Sequence, residues 1–158
     1  MVEKNKEVPF TNVYIERCDK ETEQLISEEN SAFLEQPLTF LKKHKNEFIY
    51  LELEWLDSFR VDALSLELDD VFGTYDVMLG LKLQKKYDSS IREQLHRQLS
   101  GEEPKFDLMF NREDGLWDLN FSLNYVEGFD EELSIGQACE ILYQFLLKLV
   151  DQVKNKGE

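Results

Sequence analysis

The segment WDLNFSLNY, residues 117–125, has an apolar or aromatic residue at every second position. One aspartate, two asparagines and one serine stand between them. This period of two is typical of a β-strand with one face buried and the other in water. The same alternation runs through residues 49–55, 64–69 and 77–84. Turn residues separate these runs at short intervals, so we expect an antiparallel meander with one wet face.

A fifth strand is predicted over residues 106–110, joined to residues 117–125 by the hairpin loop Asn111–Gly115, whose glycine tolerates a positive φ. Helices are predicted after Asp19, after Asp88 and after Ser134, where capping residues precede helical apolar stripes. The expected order is therefore α-β-β-β-α-β-β-α. This order predicts the α+β class, with about five antiparallel strands and helices packed on one face of the sheet.

A length of 158 residues suits one domain. Residues 19–158 contain no repeat and no Gly/Ser linker, and we interpret them as a single α+β domain. Residues 1–18 are interpreted as an N-terminal extension or an extra strand, because Val13 and Ile15 alternate with polar neighbours.

The charge of the chain bears on its partners. It has 18 Lys and Arg against 33 Asp and Glu, a formal net charge of -15. Such a surface repels nucleic acids and anionic membranes, so neither is expected as a partner, and a basic protein is favoured. The longest apolar-rich stretch, residues 141–147, is too short to span a bilayer, and the N-terminus lacks an apolar signal core. We therefore expect a cytoplasmic protein.

Residues that carry chemistry are sparse. The chain has two histidines, two cysteines far apart, no phosphate-binding glycine loop and no metal-ligand spacing. We predict no catalytic residues, no metal ligands and no cofactor. A small enzyme with a carboxylate site is the least favoured alternative, since abundant Asp and Glu make such a signal uninformative.

An acidic segment stands out between Glu47 and Asp76, with nine acids and one base. Four of its acids, Glu52, Glu54, Glu67 and Asp69, fall opposite the apolar rows of the predicted strands. If the strands align, these carboxylates share a negative surface whose repulsion a basic partner would relieve. The alternative is a solvated face that only keeps the protein soluble.

Apolar candidates for partner contact are Trp55, Phe59, Met78 and Phe145, which are aromatic or adaptable side chains. Phe145 lies on the last predicted helix, whose apolar surface is wider than a single stripe. That width suits either a deeply seated core helix or a helix that contacts another chain. Both interpretations stay open at this point.

The stretch YVEGFDEEL, residues 125–133, joins the last predicted strand to the closing amphipathic helix. With the element order and acidity, over about residues 19–153, it resembles bacterial type III secretion chaperones and the related YbjN-like regulators. The resemblance implies a small protein that binds another polypeptide without catalysis, as a chaperone or adaptor, and that is often a homodimer. The alternative hypothesis is an immunity protein or antitoxin that neutralises a basic toxin through its acidic sheet face.

Overall fold

The computed structural model describes residues 12–102 and 106–156. Seven strands form one sheet: β1 Val13–Asp19, β2 Leu25–Glu29, β3 Glu47–Leu53, β4 Val61–Leu68, β5 Tyr75–Leu81, β6 Phe106–Asn111 and β7 Leu116–Ser122. The α-helices are α1 Phe40–Lys43, α2 Asp88–Gln98 and α3 Ile135–Lys156. Short 3₁₀ turns cover Ser31–Glu35, Glu54–Phe59, Lys85–Tyr87 and Leu123–Tyr125.

The strands lie in the order β2-β1-β3-β4-β5-β7-β6, and every neighbouring pair is antiparallel. The predicted α+β class and antiparallel sheet are confirmed, but the sheet has seven strands rather than five. Strand β1 falls largely within the segment interpreted as an N-terminal extension or extra strand, whereas β2 replaces the helix that was expected after Asp19. Two predicted strands also end early, because the chain enters 3₁₀ turns after Leu53 and after Ser122.

The predicted first helix is wrong because Asp19 caps a hairpin turn instead. Its carboxylate accepts hydrogen bonds from the amides of Glu21 and Thr22 at 3.1 and 2.8 Å. A helix N-cap makes the same kind of contact, so the sequence signal is shared by both structures. Glu23 then takes a positive φ of 63° and the chain turns back into β2. The predicted boundary between residues 18 and 19 therefore falls inside β1, which lies between β2 and β3 in the sheet. Residues 1–11 of the predicted extension lie outside the described residues.

One face of the sheet carries the helices and the core. Opposed rows such as Leu51, Leu64 and Leu79 point to this side. On α3, Ala138 and Phe145 are buried and Ile141 is partly buried against the core. The wide apolar surface of the last helix is therefore core packing. Among the described residues, no helix is long and apolar enough to cross a membrane.

Candidate functional site

The register of the strands determines which side chains lie on the opposite side of the sheet, which we call the open face. Pairing places Glu28, Glu16, Tyr50, Ser65, Met78, Asn120 and Asp107 in one row, with one residue from each strand. The open face also holds Tyr14, Cys18, Phe48, Glu52, Glu67, Asp76, Gly80, Asp118, Ser122 and Met109. None of these side chains belongs to the main core cluster that includes the helices, although Cys18 and Ser122 are buried.

The strands of the sheet carry far more negative than positive charge. Its seven strands contain eleven Asp and Glu residues and a single base, Arg17. Arg17 is not on the open face: its guanidinium binds the buried Glu47 on the covered side, with two N···O distances of 2.9 Å. Within the described residues, no open-face carboxylate of the strands has a cation within 4.0 Å. The open face is thus a negative surface with little internal compensation: Lys82 pairs with Asp62 at its margin, and Lys20 acts on Glu67 from a distance.

Two tyrosines and two glutamates alternate at one end of this face. Tyr14 lies opposite Glu52, and Glu16 lies opposite Tyr50. The rings of Tyr14 and Tyr50 meet edge to face, with centroids 6.3 Å apart. Each phenol donates to the glutamate two residues further on: Tyr50 to Glu52 at 2.6 Å, and Tyr14 to Glu16. The Glu16 hydrogen bond raises the pKa of Tyr14 to about 12, so this phenol stays neutral. We call these four residues the tyrosine–glutamate quartet.

A cleft of about 490 Å³ opens beside the quartet. Glu52, Glu54, Asp57 and Asp62 line it together with Tyr14. Asp62 also pairs with Lys82 at 2.8 Å, but Lys82 itself does not line the cleft. The cleft extends the negative surface beyond the end of the strands.

A second acidic group lies at the other end of the open face. Glu67 and Asp76 are direct cross-strand partners, and both are partly buried. Burial is the main cause that raises the pKa of Asp76 to about 6, and the neighbouring Asp69 raises it further. Burial also raises the pKa of Glu67. Two partly desolvated carboxyls facing each other store repulsion that acidification relieves.

Replacing Asp76 with asparagine is expected to stabilise the protein at pH 8 but not at pH 4. The pKa of Asp76 is about 6 in the folded protein and 3.8 in the unfolded chain, so the protonated carboxyl favours folding. This stabilisation is fully present below pH 3.8 and is lost as the pH rises through about 6, where the ionised carboxylate is unfavourable in its partly buried place. After allowance for solvent screening, we expect a gain of roughly 1 kcal/mol at pH 8. Urea unfolding at the two pH values measures it. The exposed Asp118→Asn is the matched control, and an equal gain in both variants would contradict the assignment.

The four acidic residues predicted to form one surface lie in different parts of the structure. Glu52 and Glu67 share the open face but at opposite ends, four residues apart along the strands, or about 13 Å. Glu54 lies in the 3₁₀ turn after β3 and lines the cleft. Asp69 leaves the strand and caps the β4–β5 turn, accepting from the amides of Val71 and Phe72.

Of the four apolar residues predicted to contact a partner, one is on the open face and three are in the core. Met78 lies at the centre of the open face and is 37% exposed. Trp55, Phe59 and Phe145 lie in the core, each 6% exposed or less. Trp55 and Phe59 pack on Tyr143 of α3, with ring centroids 5.1 and 5.4 Å away. In this structure those three side chains hold the helix layer on the sheet and offer no surface to a partner.

Sequence reasoning missed Tyr14, Glu16 and Asp76 as members of the site. Their alternation was visible, since Tyr14 and Glu16 flank the apolar Ile15. Nothing in the chain order indicated that β1 inserts between β2 and β3 and so brings Tyr14 to Tyr50.

Exposed apolar side chains occur on the β4–β5 turn and on the edge strand β2. Val71 and Phe72 are 80% and 79% exposed at the tip of the β4–β5 turn. Leu25 and Ile26 on the outer strand β2 are 55% and 47% exposed. Apolar residues held on a capped turn and on an edge strand are suited to contact another polypeptide.

Groups suited to covalent or metal chemistry are not assembled on this face. Both cysteines are buried, and burial raises the pKa of Cys139 to about 12. The described residues contain no group of three His, Cys, Asp or Glu side chains that could hold a metal ion. The open face presents hydrogen-bonding groups, negative charge and aromatic edges.

No protein-family model, curated protein or solved structure matches this chain. The resemblance to secretion chaperones therefore stays a prediction that depends on the residues quoted above.

Proposed function

We propose that this chain is a non-catalytic, acidic protein-binding module that presents the open face of its sheet to another polypeptide. The observation that supports it is the one-sided layering. Described helices and the hydrophobic core occupy one side of the sheet, while the other carries carboxylates without ion pairs and the partly exposed Tyr50 and Phe48. A sheet in a globular protein has either both faces covered or one face in water. A partner that brings cations can cover the open face and complement its charge.

A chaperone or adaptor is the first form of this function. The exposed Val71 and Phe72 and the outer strand β2 favour it, because an extended client can combine apolar contacts with backbone pairing at a strand edge. The opposite edge is less available, since Arg92 of α2 donates to the Leu108 carbonyl of β6 at 3.1 Å.

An immunity protein or antitoxin is the second form. The charge of the strands favours it, because an acidic face attracts a basic toxin and speeds its association at low salt. The two forms differ in what the partner does: a toxin loses its activity when bound at one-to-one stoichiometry, whereas a client keeps an extended segment that binding protects from proteases.

Affinity capture from the source cell with paired variants tests the proposal. The wild type, Met78→Lys on the open face and Leu147→Lys on the exposed side of α3 serve as baits. We expect a partner that the wild type and the Leu147 variant retain and that the Met78 variant loses at least tenfold. Equal retention by all three baits, or a partner lost only by the Leu147 variant, would contradict it. Sedimentation velocity on the same samples tests the expected homodimer.

A further inference from the structure

The chemistry of the open face narrows the kind of partner that it fits. We propose that the face docks an arginine- or lysine-bearing segment of a partner protein, with the tyrosine–glutamate quartet receiving a cationic side chain. This inference rests on the proposed function of the chain as a protein-binding module. It adds the chemical class of the bound group and the place where that group contacts the sheet.

The first support is charge complementarity. Glu28, Glu16 and Glu52 lie on β2, β1 and β3, and no described cation pairs with them. Two lysines near the sheet ends are engaged elsewhere: Lys20 bonds the Leu68 carbonyl and lies 3.8 Å from Asp70, and Lys82 binds Asp62. A cation brought by a partner would meet Glu16, Glu28 and Glu52, which no ion pair among the described residues neutralises.

The second support is the arrangement of the quartet. Aromatic rings attract ammonium and guanidinium groups, and carboxylates bind guanidinium through paired hydrogen bonds. In the quartet each tyrosine hydroxyl already binds its glutamate, which holds the carboxylates beside the rings. Among the described residues, Glu52 Oε1 accepts no hydrogen bond and is available to a donor. The cleft next to it, lined by Glu54, has room for a long side chain.

Other occupants fit less well. A second copy laid face to face would oppose carboxylate to carboxylate, which is repulsive. Nucleic acids and anionic membranes carry the same sign of charge as this face.

The row that crosses the sheet, from Glu28 through Met78 to Asp107, is about 29 Å long and has acids at both ends with a methionine near its middle. It therefore suits a segment with basic residues around an apolar one.

A titration of the full-length, ¹⁵N-labelled protein tests the inference. The probes are a twelve-residue peptide of alternating arginine and alanine, its lysine counterpart and a glutamate counterpart. We expect saturable amide shifts centred on Tyr14, Tyr50 and Glu52 with both basic peptides, and none with the acidic one. Affinity should fall about tenfold when salt rises from about 20 to about 200 mM, since the pairs are solvent-accessible.

Variants separate the quartet from general negative charge. Glu52→Gln and Tyr14→Ala should each weaken arginine-peptide binding by roughly fivefold, because each removes a direct contact. Asp151→Asn makes the same charge change on the exposed side of α3 and should alter affinity less than about twofold. Equal weakening by Glu52→Gln and Asp151→Asn, or shifts centred away from the quartet, would overturn the inference. The amide spectrum of each free variant reports that it is folded.

Failure of this inference and failure of the proposed function are distinguishable. If the peptides do not select the quartet but Met78→Lys still loses a captured partner, the cation site is wrong and the binding module stands. If capture does not depend on the open face, the proposed function is wrong whatever the peptides do.

Discussion

Replacing Phe145 with alanine is expected to lower the free energy of unfolding by about 3 kcal/mol, because the change empties a ring-sized space in the core. Phe145 is 5% exposed and packs on Phe121 of β7, with ring centroids 5.0 Å apart. If Phe145 were instead a contact for another chain, its truncation would leave the isolated protein nearly unchanged. Urea unfolding of the purified protein measures the difference.

Leu147 supplies the control for that experiment. It lies two residues further along α3 and is 43% exposed. Leu147→Ala should change stability by no more than about 0.5 kcal/mol, since alanine favours helix and little packing is lost. Similar losses in both variants would contradict the assignment of the wide apolar surface of α3 to the core.

Replacing Arg17 with alanine is expected to cost about 3 kcal/mol of stability, because it leaves Glu47 buried without its cation. The Arg17 guanidinium binds both carboxylate oxygens of Glu47, lies 3.4 Å from Glu29 and rests 5.3 Å from the ring of Phe40. One side chain thus joins β1, β2, β3 and α1 on the covered side of the sheet. Denaturant unfolding gives the value.

Two comparisons check this interpretation. Adding Glu47→Gln to the Arg17 variant should recover roughly half of the loss, since an uncharged amide is cheaper to bury. Arg97→Ala breaks an exposed pair with Glu93 on α2 and should cost about 0.5 kcal/mol or less. If Arg17→Ala cost no more than Arg97→Ala, the first hairpin would not depend on this contact.

Local patterns in the sequence were enough to predict much of the sheet. The alternation around Leu119 and Phe121 depends only on which face each residue buries, and the hairpin at Asn111–Gly115 depends on turn chemistry, with Gly115 at a φ of 68°. Strand β2 was missed because its residues are mostly exposed and do not alternate clearly. The cap at Asp19 also satisfies either a helix or a turn.

The site was predictable only in part, for a related reason. Glu52 could be assigned to a polar strand face from its neighbours, because that is a local property. The pairing of Tyr14 with Glu52 joins residues 38 positions apart, and it depends on the chain returning through α1 to the other side of β1. Alternation does not specify which strands become neighbours. Burial of Trp55 likewise depends on its contact with Tyr143 of the last helix.

The most direct test of the central claim is site-specific photo-crosslinking in the source cell. A benzophenone amino acid is placed at Met78, in the middle of the open face, or at Leu147, on the exposed side of the helix layer. We predict a discrete protein adduct from position 78, joined through a lysine- or arginine-bearing segment, and no corresponding adduct from position 147. An adduct at position 147 with none at position 78 would contradict the proposal that the open face of the sheet binds the partner.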